Sequence, residues 1–349
     1  MKIFFKAIII SLFAALNIFC AASENHIIAD GQQPEITIDP SGEIRIIYGE
    51  GDKIYCATSV DNGITFSNIQ LVGEVKDMHL GMSRGPQMAS SKNYTIVSAV
   101  DKKGSVHIFQ LFHQSGKWVQ TALANDIAGS APEGLMSIAA DQYDNFYAVW
   151  LDIRNDKNNK ICFSKTTDKG LTWYKNKIAY TSPDKTVCEC CKPAIAVSGS
   201  RIFIMFRNWL SGSRDLYLLQ SDNKGNTFYG PVKLGNETWK LNGCPMDGGG
   251  LIVSGKDEVT TVWQRQGSIY YSKPHLAENK IYVGRNCSIT DPGNPIITWQ
   301  DKNKLLLKEL HKSEITVVGE GSFIKAIRTK DNKILCAWEK EGKIIFRKM

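Results

Sequence analysis

The sequence predicts an all-β protein folded as a β-propeller of four-stranded blades, and three observations support this prediction. One turn motif recurs three times, at multiples of about 50 residues. Short segments that alternate apolar and polar residues surround each copy, which is the pattern of β-strands. Long helical patterns are absent from the sequence. Together these observations indicate a ring of similar β units.

The recurring motif begins with Ser or Thr, has Asp or Asn at its third position and ends in an aromatic residue. Its copies are Ser59–Phe66, Thr166–Trp173 and Ser221–Phe228, with Asp61, Asp168 and Asn223 at the third position. We expect the third side chain to close an Asx-type turn and the following Gly to adopt positive φ. The aromatic residue is expected to fill the gap between strands. The segment His113–Trp118 is a candidate for a degenerate fourth copy.

This motif resembles the Asp-box of sialidases and related propellers, S/T-x-D-x-G-x-T-W/F. The resemblance covers nearly the whole chain after residue 22 at the level of repeat architecture. It places the chain in the sialidase-like, BNR or Asp-box, propeller superfamily, in a secreted subgroup marked by a Cys-x-Cys-Cys motif and a Cys-Pro-Met-Asp-Gly motif. The implied fold is a propeller with its Asp-boxes in turns.

Seven blade-like units are predicted, and the unit starts lie near Glu35, Gln87, Met136, Pro193, Leu251, Ser288 and Phe323. The last unit contains only three strands, and the segment His26–Ala29 is expected to supply the fourth and close the ring. Six blades, the number in sialidases, is the alternative, because the last two units are short and could merge. In the most regular unit the Asp-box lies between the third and fourth strands.

Residues 1–22 have the pattern of a signal peptide. Lys2 and Lys6 precede the apolar run Ala7–Phe19, which small residues follow. The run is too short to span a bilayer, and no later stretch is long enough. We therefore expect export to the periplasm or the extracellular space, with residues 23–349 forming a single propeller domain. Lipid attachment at Cys20 is the less favoured alternative.

The net charge of +7 does not point to a nucleic-acid partner. The lysines of the chain are scattered singly, without the run of five or six like charges that marks a binding tail. A solvated, lysine-rich surface explains the charge. We expect a monomer that binds a glycan or another small molecule.

Propeller topology separates the scaffold from the functional face. Connections between blades, and those from the second to the third strand, open on one face, while the Asp-box turns open on the other. The first face collects Arg and acidic residues as candidates for ligand binding and catalysis. The candidate ligand-binding residues are Arg84, Arg154, Arg207, Arg214 and Arg265, and the candidate catalytic residues are Glu133, Asp152 and Asp247.

The sialidase resemblance implies three arginines that bind a carboxylate, the first of them in an R-I-P-type motif before the first blade. This chain has Gln32-Gln33-Pro34 there, so the arginine is missing. Arg84 is a candidate substitute one blade later. The alternative role for Asp152–Arg154 and Arg214–Asp215 is structural, as salt bridges between neighbouring blades.

Five cysteines fall in the connections of the same face: Cys188, Cys190, Cys191, Cys244 and Cys287. Disulfides between connections are one interpretation, since export favours them. A metal site is the second, in which Cys188, Cys190, Cys191, Cys244 and Met246 hold a soft ion, with copper or zinc as the candidates. A redox thiol pair is the third. Cys56, Cys162 and Cys336 lie within predicted strands and are expected to be buried as small apolar residues.

Two functional hypotheses follow. The first is an exported sialidase-like propeller that binds or hydrolyses an acidic extracellular glycan at a mouth lined by Arg, Asp and Glu, in which case the hydrolase would be of the sialidase-like type. The second is a non-catalytic propeller whose cysteine group binds a metal or a partner.

Overall fold

The computed structural model describes residues 24–349, so the predicted signal peptide and Cys20 lie outside the described residues. Seven antiparallel sheets of four strands each form the fold. The seven-bladed propeller is confirmed, and the six-bladed alternative is wrong. Over the part of the chain that the structure describes, there is no helix of the length and apolar character needed to cross a membrane.

The blades follow one another along the chain. The first blade contains β2 (Gln32–Ile38), β3 (Ile44–Glu50), β4 (Lys53–Ser59) and β5 (Ser67–Glu74). The second contains β6 (Gln87–Ser90), β7 (Tyr94–Val100), β8 (Val106–Phe112) and β9 (Lys117–Leu123). The third contains β10 (Met136–Ala140), β11 (Phe146–Asp152), β12 (Lys160–Thr166) and β13 (Lys177–Tyr180). The fourth contains β14 (Ala194–Ser198), β15 (Arg201–Arg207), β16 (Leu216–Ser221) and β17 (Tyr229–Lys233).

The fifth, sixth and seventh blades, like the second, have no Asp-box. The fifth contains β18 (Gly250–Val253), β19 (Val259–Arg265), β20 (Ser268–Ser272) and β21 (Asn279–Val283). The sixth contains β22 (Arg285–Thr290), β23 (Ile296–Asp301), β24 (Lys304–Glu309) and β25 (Thr316–Glu320). The seventh contains β26 (Ser322–Arg328), β27 (Ile334–Lys340) and β28 (Lys343–Lys348), and its fourth strand is β1 (His26–Asp30).

The first strand of each blade lies nearest the ring axis, because these strands contact one another around the ring. The ring is closed by β1, which pairs antiparallel with β28 and places His26 opposite Phe346. The Gly31 amide also donates to the Gly342 carbonyl at 2.8 Å. The predicted closing strand is therefore confirmed. Pairing β1 with β28 in one sheet ties the last blade to the first without a free gap in the ring.

Apolar side chains fill the spaces between neighbouring blades. The second strands carry most of this packing, since they are buried on both faces of the sheet. Four of them hold a buried tryptophan: Trp150, Trp263, Trp299 and Trp338. A buried tryptophan removes about 150–250 Å² from water, so these four rings contribute much of the contact between blades.

The Asp-boxes form the predicted turns. Asp61 accepts hydrogen bonds from the Ser59 hydroxyl at 2.7 Å and from the amide and hydroxyl of Thr65 at 3.0 and 2.6 Å. Gly63 has φ of 78°, as expected for this turn. Burial by itself would raise the pKa of Asp61, but these donors together outweigh it and lower the pKa to about 2. At Asn223 the hydrogen bond to the threonine hydroxyl runs in the opposite direction, because the Asn223 side-chain amide donates to the Thr227 hydroxyl at 2.8 Å.

The aromatic residues of the boxes pack against the preceding blade rather than between strands of their own blade. Phe66 meets Phe346 of the seventh blade edge-on, with ring centroids 4.8 Å apart, and Phe228 meets Phe163 of the third blade at 5.1 Å. A Cβ added to Gly225 would lie 2.3 Å from the Phe163 ring. The boxes therefore join neighbouring blades, whereas the sequence predicted that their aromatic residues fill a gap between strands.

The turn at His113–Trp118 is not an Asp-box. It is a short hairpin turn in which the Ser115 and Gly116 amides donate to the Phe112 carbonyl. The predicted fourth copy is wrong because the connection is too short for the eight-residue motif. All three true boxes connect third and fourth strands, as predicted, so they mark the scaffold face. We call the opposite face, which carries the connections between blades, the mouth face.

Replacing the Asp168 carboxylate should weaken the joint between the second and third blades. Asp168→Ala leaves the Thr172 amide and hydroxyl and the Thr166 hydroxyl without their acceptor. We expect the free energy of unfolding to fall by about 1–2 kcal/mol in chemical denaturation, as for other capped turns. Asn223→Asp is the matched control and should change it by less than about 0.5 kcal/mol. An equal loss in both variants would contradict this role.

Candidate functional site

The mouth face is distinguished by backbone strain where chain connections meet the innermost strands. In five blades a non-glycine residue near the start of the first strand has positive φ, a conformation that costs roughly 1 kcal/mol or more. These residues are Gln33 (52°), Ser83 (63°), Met246 (55°), Asn286 (52°) and Phe323 (56°). In the first, sixth and seventh blades a register shift accompanies the positive φ. Such features concentrate at functional sites.

All five strained residues line two small cavities at the centre of the mouth face, which we call the mouth cavities. Their volumes are about 60 Å³ and about 30 Å³. They share four wall residues, Ser83, Lys192, Phe323 and Lys325, so they adjoin one another. The cavities have room for a few water molecules or one small polar group, and they are too small to enclose a sugar ring.

Two lysines bring positive charge to the mouth cavities. Lys192 donates to the Gln87 side-chain oxygen at 2.8 Å, and Lys325 pairs with Glu35 at 2.9 Å. Burial, together with the Lys325 charge, lowers the pKa of Lys192 to about 7, and Glu35 opposes this shift. Neither lysine was predicted from the sequence. A single lysine in a lysine-rich chain carries no local signal, so only the ring could identify them.

Gln33 lies in the segment Gln32-Gln33-Pro34, where the sialidase resemblance calls for an R-I-P-type motif. It is only 5% exposed, and its Oε1 accepts the Gly85 amide of the next blade. Its backbone amide donates to the Glu339 carboxylate at 3.0 Å. Its Nε2 has no hydrogen-bond acceptor among the described residues. A buried donor without an acceptor costs about 1–3 kcal/mol, and this one borders a mouth cavity.

Arg84 and Glu133 lie together beside the mouth. The Arg84 Nε donates to the Glu133 carbonyl at 2.6 Å, and the guanidinium is 3.8 Å from the Glu133 carboxylate. Burial raises the pKa of Glu133, while Arg84 opposes that shift. The Arg84 Nη1 is buried and lacks an acceptor within residues 24–349. The pair therefore includes one hydrogen-bond donor, the Arg84 Nη1, that no described protein group accepts.

Asp152 and Arg154 form a closed structural pair. The Asp152 carboxylate accepts from the Ser130 hydroxyl, the Trp150 indole and the Arg154 guanidinium. Arg154 also contacts Asp126 at 3.1 Å, in the connection between the second and third blades. The geometry is that of the salt bridge between blades that the sequence offered as the alternative. All of these polar groups are already engaged.

Arg207 and Arg265 are also held by protein groups. Arg207 is buried and donates to the carbonyls of Asp247, Arg214 and Gln264, at 2.7–3.2 Å. Arg265 forms a two-bond pair with Glu278. These two guanidinium groups brace the fourth and fifth blades.

Arg214 connects the arginine group to the cysteines. Its Nη1 lies 2.9 Å from the Cys188 sulfur and 3.1 Å from the Glu189 carboxylate, and its guanidinium stacks over Trp209 at 4.7 Å. Arg214 and Asp215 do not pair with each other, since Asp215 accepts the Trp239 amide and lies 3.6 Å from the Lys233 ammonium. The five predicted arginines thus occupy several separate hydrogen-bonding groups.

Asp247 lies in the wall of the larger mouth cavity. It accepts the Asn286 amide at 2.6 Å and lies 4.0 Å from the Cys287 sulfur. Burial raises its pKa, and Arg207 acts in the opposite direction. The three predicted catalytic carboxyl groups therefore have different partners: Arg84 for Glu133, Arg154 for Asp152, and backbone amides for Asp247.

Four sulfurs form a compact group in the connections that lead into the fourth and fifth blades. A disulfide joins Cys190 to Cys244. The Cys188 sulfur lies 3.7 Å from that of Cys190 and 3.4 Å from that of Cys191, and Met246 packs against the group. The hydrogen bond with Cys191 and the nearby Arg207 and Arg214 charges lower the pKa of Cys188 to about 7, against burial.

The remaining cysteines lie apart from this group. Cys56, Cys162 and Cys336 are buried within strands, as predicted. Burial raises the pKa of Cys56 and that of Cys336 to about 12, so both thiols stay neutral. Cys287 is a buried free thiol beside Asp247.

Comparisons with known proteins identify solved structures that share this fold. No protein-family model matches the chain, and no curated protein matches its sequence. Solved propellers do match it. A lectin from Burkholderia pseudomallei superposes with a TM-score of 0.60 at 8% identity, over 89% of this chain and 96% of the lectin. A family 25 polysaccharide lyase bound to a GlcA(1-4)Rha3S saccharide gives 0.58 at 11% identity, over 93% and 95% of the two chains.

A Hadza microbial sialidase, Hz136, matches with a TM-score of 0.53 at 11% identity, over 91% of this chain and 65% of that one. The β-propeller fold that the repeated units predicted is confirmed. At these identities the similarity establishes the fold alone.

Arg207 should be essential to stability. Arg207→Lys removes several of the donors that satisfy the carbonyls of Asp247, Arg214 and Gln264. We expect the free energy of unfolding to fall by about 3 kcal/mol or more, since buried acceptors lose their partners.

Arg201→Lys is the control for this prediction, at the other end of β15. Arg201 is 42% exposed and pairs only at the surface, so this change should cost less than about 0.5 kcal/mol. Similar melting curves for the two variants would refute the structural role of Arg207.

Proposed function

We propose that this protein is an exported glycan-binding propeller whose ligand is an acidic glycan. Its carboxylate would enter the mouth cavities while the sugar ring rests on the mouth face. The observation that carries the proposal is the convergence of Lys192, Lys325 and the unpaired Gln33 Nε2 on two adjoining cavities. Two ammonium groups and a free amide donor suit a carboxylate.

The size of the cavities supports recognition of a group rather than of a whole sugar. At about 60 Å³ and about 30 Å³ they admit a carboxylate, which exchanges its water for fixed donors. Lys325 is partly neutralised by Glu35, so Lys192 would supply the main unpaired charge. The similar solved structures are of lectins, a polysaccharide lyase and a sialidase, which agrees with a glycan ligand.

Hydrolysis is an extension of this proposal. Glu133 lies beside Arg84, and Asp247 lines the larger cavity, and burial raises the pKa of both carboxyl groups. A raised pKa keeps a proton available for a general acid. Asp152, Arg154, Arg207 and Arg265 would support the mouth, while Arg84 would hold Glu133 in place beside it.

Binding should depend on the two mouth lysines. We expect a glycan array to show binding to glycans that carry sialic or uronic acids, and Lys192→Met to weaken it at least about tenfold, as loss of a charged hydrogen bond does. Lys325→Met should weaken it less, because that charge is paired. Lys224→Met, in an Asp-box turn on the opposite face, is the control. A preference for neutral glycans, or equal affinity in all three variants, would reject the proposal.

The affinity should also fall as the pH rises. The folded-state pKa of Lys192 is about 7, so its ammonium is present below that pH and is lost above it. The ligand carboxylate stays ionised throughout, and affinity should therefore drop between pH 6 and 8.5 by up to about tenfold per unit above the pKa. Calorimetric titrations at several pH values test this sign. The profile should be flat in Lys192→Met.

Metal binding by the sulfur group is a second candidate function, and one distance pattern favours it. The sulfurs of Cys188, Cys190 and Cys191 lie 3.4–3.9 Å apart. Thiolates around a tetrahedral ion with bonds of about 2.3 Å would be separated by about 3.8 Å. Thiolates together with the Met246 thioether suit Cu(I) or zinc, once the disulfide that holds Cys190 is reduced.

Elemental analysis tests the metal candidate. Protein prepared under reducing conditions with copper or zinc should carry close to one ion per chain, and Cys188→Ser should lose it. Cys56→Ala removes a cysteine from a strand core and should retain the ion. Metal content that is absent from the wild type, or unchanged in Cys188→Ser, would rule out the site.

A further inference from the structure

The sulfur group has a second property that glycan binding does not use. One disulfide, Cys190–Cys244, lies against two free thiols, Cys188 and Cys191. The four residues come from the two connections that lead into the fourth and fifth blades. Cys188 and Cys191 themselves have the C-x-x-C spacing of exchangeable thiol pairs. We propose that this group is an intramolecular thiol–disulfide exchange site with Cys188 as its nucleophile.

The geometry around Cys188 fits a nucleophile. Its sulfur lies 3.7 Å from the Cys190 sulfur, which is close to van der Waals contact with one end of the disulfide. The Arg214 Nη1 donor lies 2.9 Å from the Cys188 sulfur and favours the thiolate, the form that attacks disulfides. Arg214 is itself fixed by Glu189 and by stacking on Trp209. The nucleophile is therefore oriented before any partner arrives.

The exchange proceeds in two balanced steps. The Cys188 thiolate attacks the Cys190 sulfur, so a Cys188–Cys190 bond forms, the Cys190–Cys244 bond breaks, and the electron pair leaves on Cys244, which takes a proton from water. The Cys191 sulfur, 3.4 Å from that of Cys188, then gives up its proton and attacks Cys188. A Cys188–Cys191 disulfide forms and Cys190 leaves as the thiol. One disulfide and two thiols are present before and after, so no external oxidant is needed.

Exposure gives the exchange a direction. Cys188, Cys190 and Cys191 are buried, whereas Cys244 is exposed on its connection. An external thiol or disulfide can therefore reach the sulfur group at Cys244. The exchange then transfers the redox state of the exposed Cys244 sulfur to the buried pair Cys188 and Cys191. The partner class is a small thiol or a protein thiol in the exported compartment.

The exchange would also change the mouth cavities. The bond between Cys190 and Cys244 joins two connections, and both contribute walls to the larger cavity, through Cys190 and Lys192 on one side and Met246 and Asp247 on the other. Moving the disulfide to Cys188–Cys191 releases the second connection from the first. The link to ligand binding rests on the proposed function, whereas the exchange itself does not.

Alkylation of the native, unreduced protein tests the exchange without any ligand. The folded protein is incubated with iodoacetamide and a chelator, and the disulfides and modified cysteines are then mapped by mass spectrometry. We expect Cys244 to become alkylated with time while a Cys188–Cys191 disulfide accumulates in its place. A protein in which Cys190–Cys244 stays intact and Cys244 stays unmodified would overturn the proposal.

Variants assign the roles. Cys188→Ser should slow alkylation of Cys244 at least tenfold, and Arg214→Met should slow it several-fold by removing the charge beside the nucleophile. Cys56→Ser should leave the rate unchanged. Since Cys188→Ser is buried and could unfold, its melting curve is recorded, and the appearance of the Cys188–Cys191 bond in the wild type gives an independent readout. Equal rates in Cys188→Ser and the wild type would also overturn the proposal. Because no glycan is present, failure here and failure of glycan binding are distinguishable.

Discussion

The pairing of β1 with β28 is the interaction on which the rest of the structure depends. It joins the first described strand to the last one in the seventh blade, with His26 opposite Phe346. The mouth cavities take their walls from several blades, including the first and the last, so they exist only in a closed ring. Phe66 of the first Asp-box reinforces the same seam through its contact with Phe346. Closure therefore supports the scaffold face and the mouth face together.

Arginine and lysine have different tasks in this ring. Three guanidinium groups donate their hydrogen bonds to carboxylates and carbonyls within and between blades, namely those of Arg154, Arg207 and Arg265. A planar group with five donors can satisfy several acceptors at once. The lysines at the mouth bring compact charges to small cavities, and their ammonium groups have hydrogen-bond donors left for a ligand. The residue type that first suggests carboxylate binding therefore serves the scaffold, and the charge at the mouth comes from Lys192 and Lys325.

The cysteines likewise divide according to their position in the ring. Cys56, Cys162 and Cys336 are isolated within strands, and burial keeps their thiols neutral. Cys188, Cys190, Cys191 and Cys244 lie in connections, where the Arg214 guanidinium and the sulfurs of Cys190 and Cys191 lie next to Cys188. Metal binding and disulfide exchange share the sulfurs of Cys188, Cys190 and Cys191. Metal binding requires the Cys190–Cys244 bond to be reduced, whereas exchange requires it to be intact. Either chemistry would act on the wall of the mouth cavity.

The sequence by itself determined the repeated unit, the closing strand and the face that carries the Asp-boxes. These features are local: the Asx turn with its positive-φ Gly, which occurs in three units, and the alternating strands, which occur in all seven, are each encoded within a few residues, and their repetition implies a ring. It also indicated the segment Gln32-Gln33-Pro34 and the cysteine group, because both depart from a known motif. The tertiary structure alone decided which charges are free. Arg207 and Lys192 look equally available in the sequence, and their partners are supplied by other blades, so only closure of the ring shows that one is satisfied and the other faces a cavity.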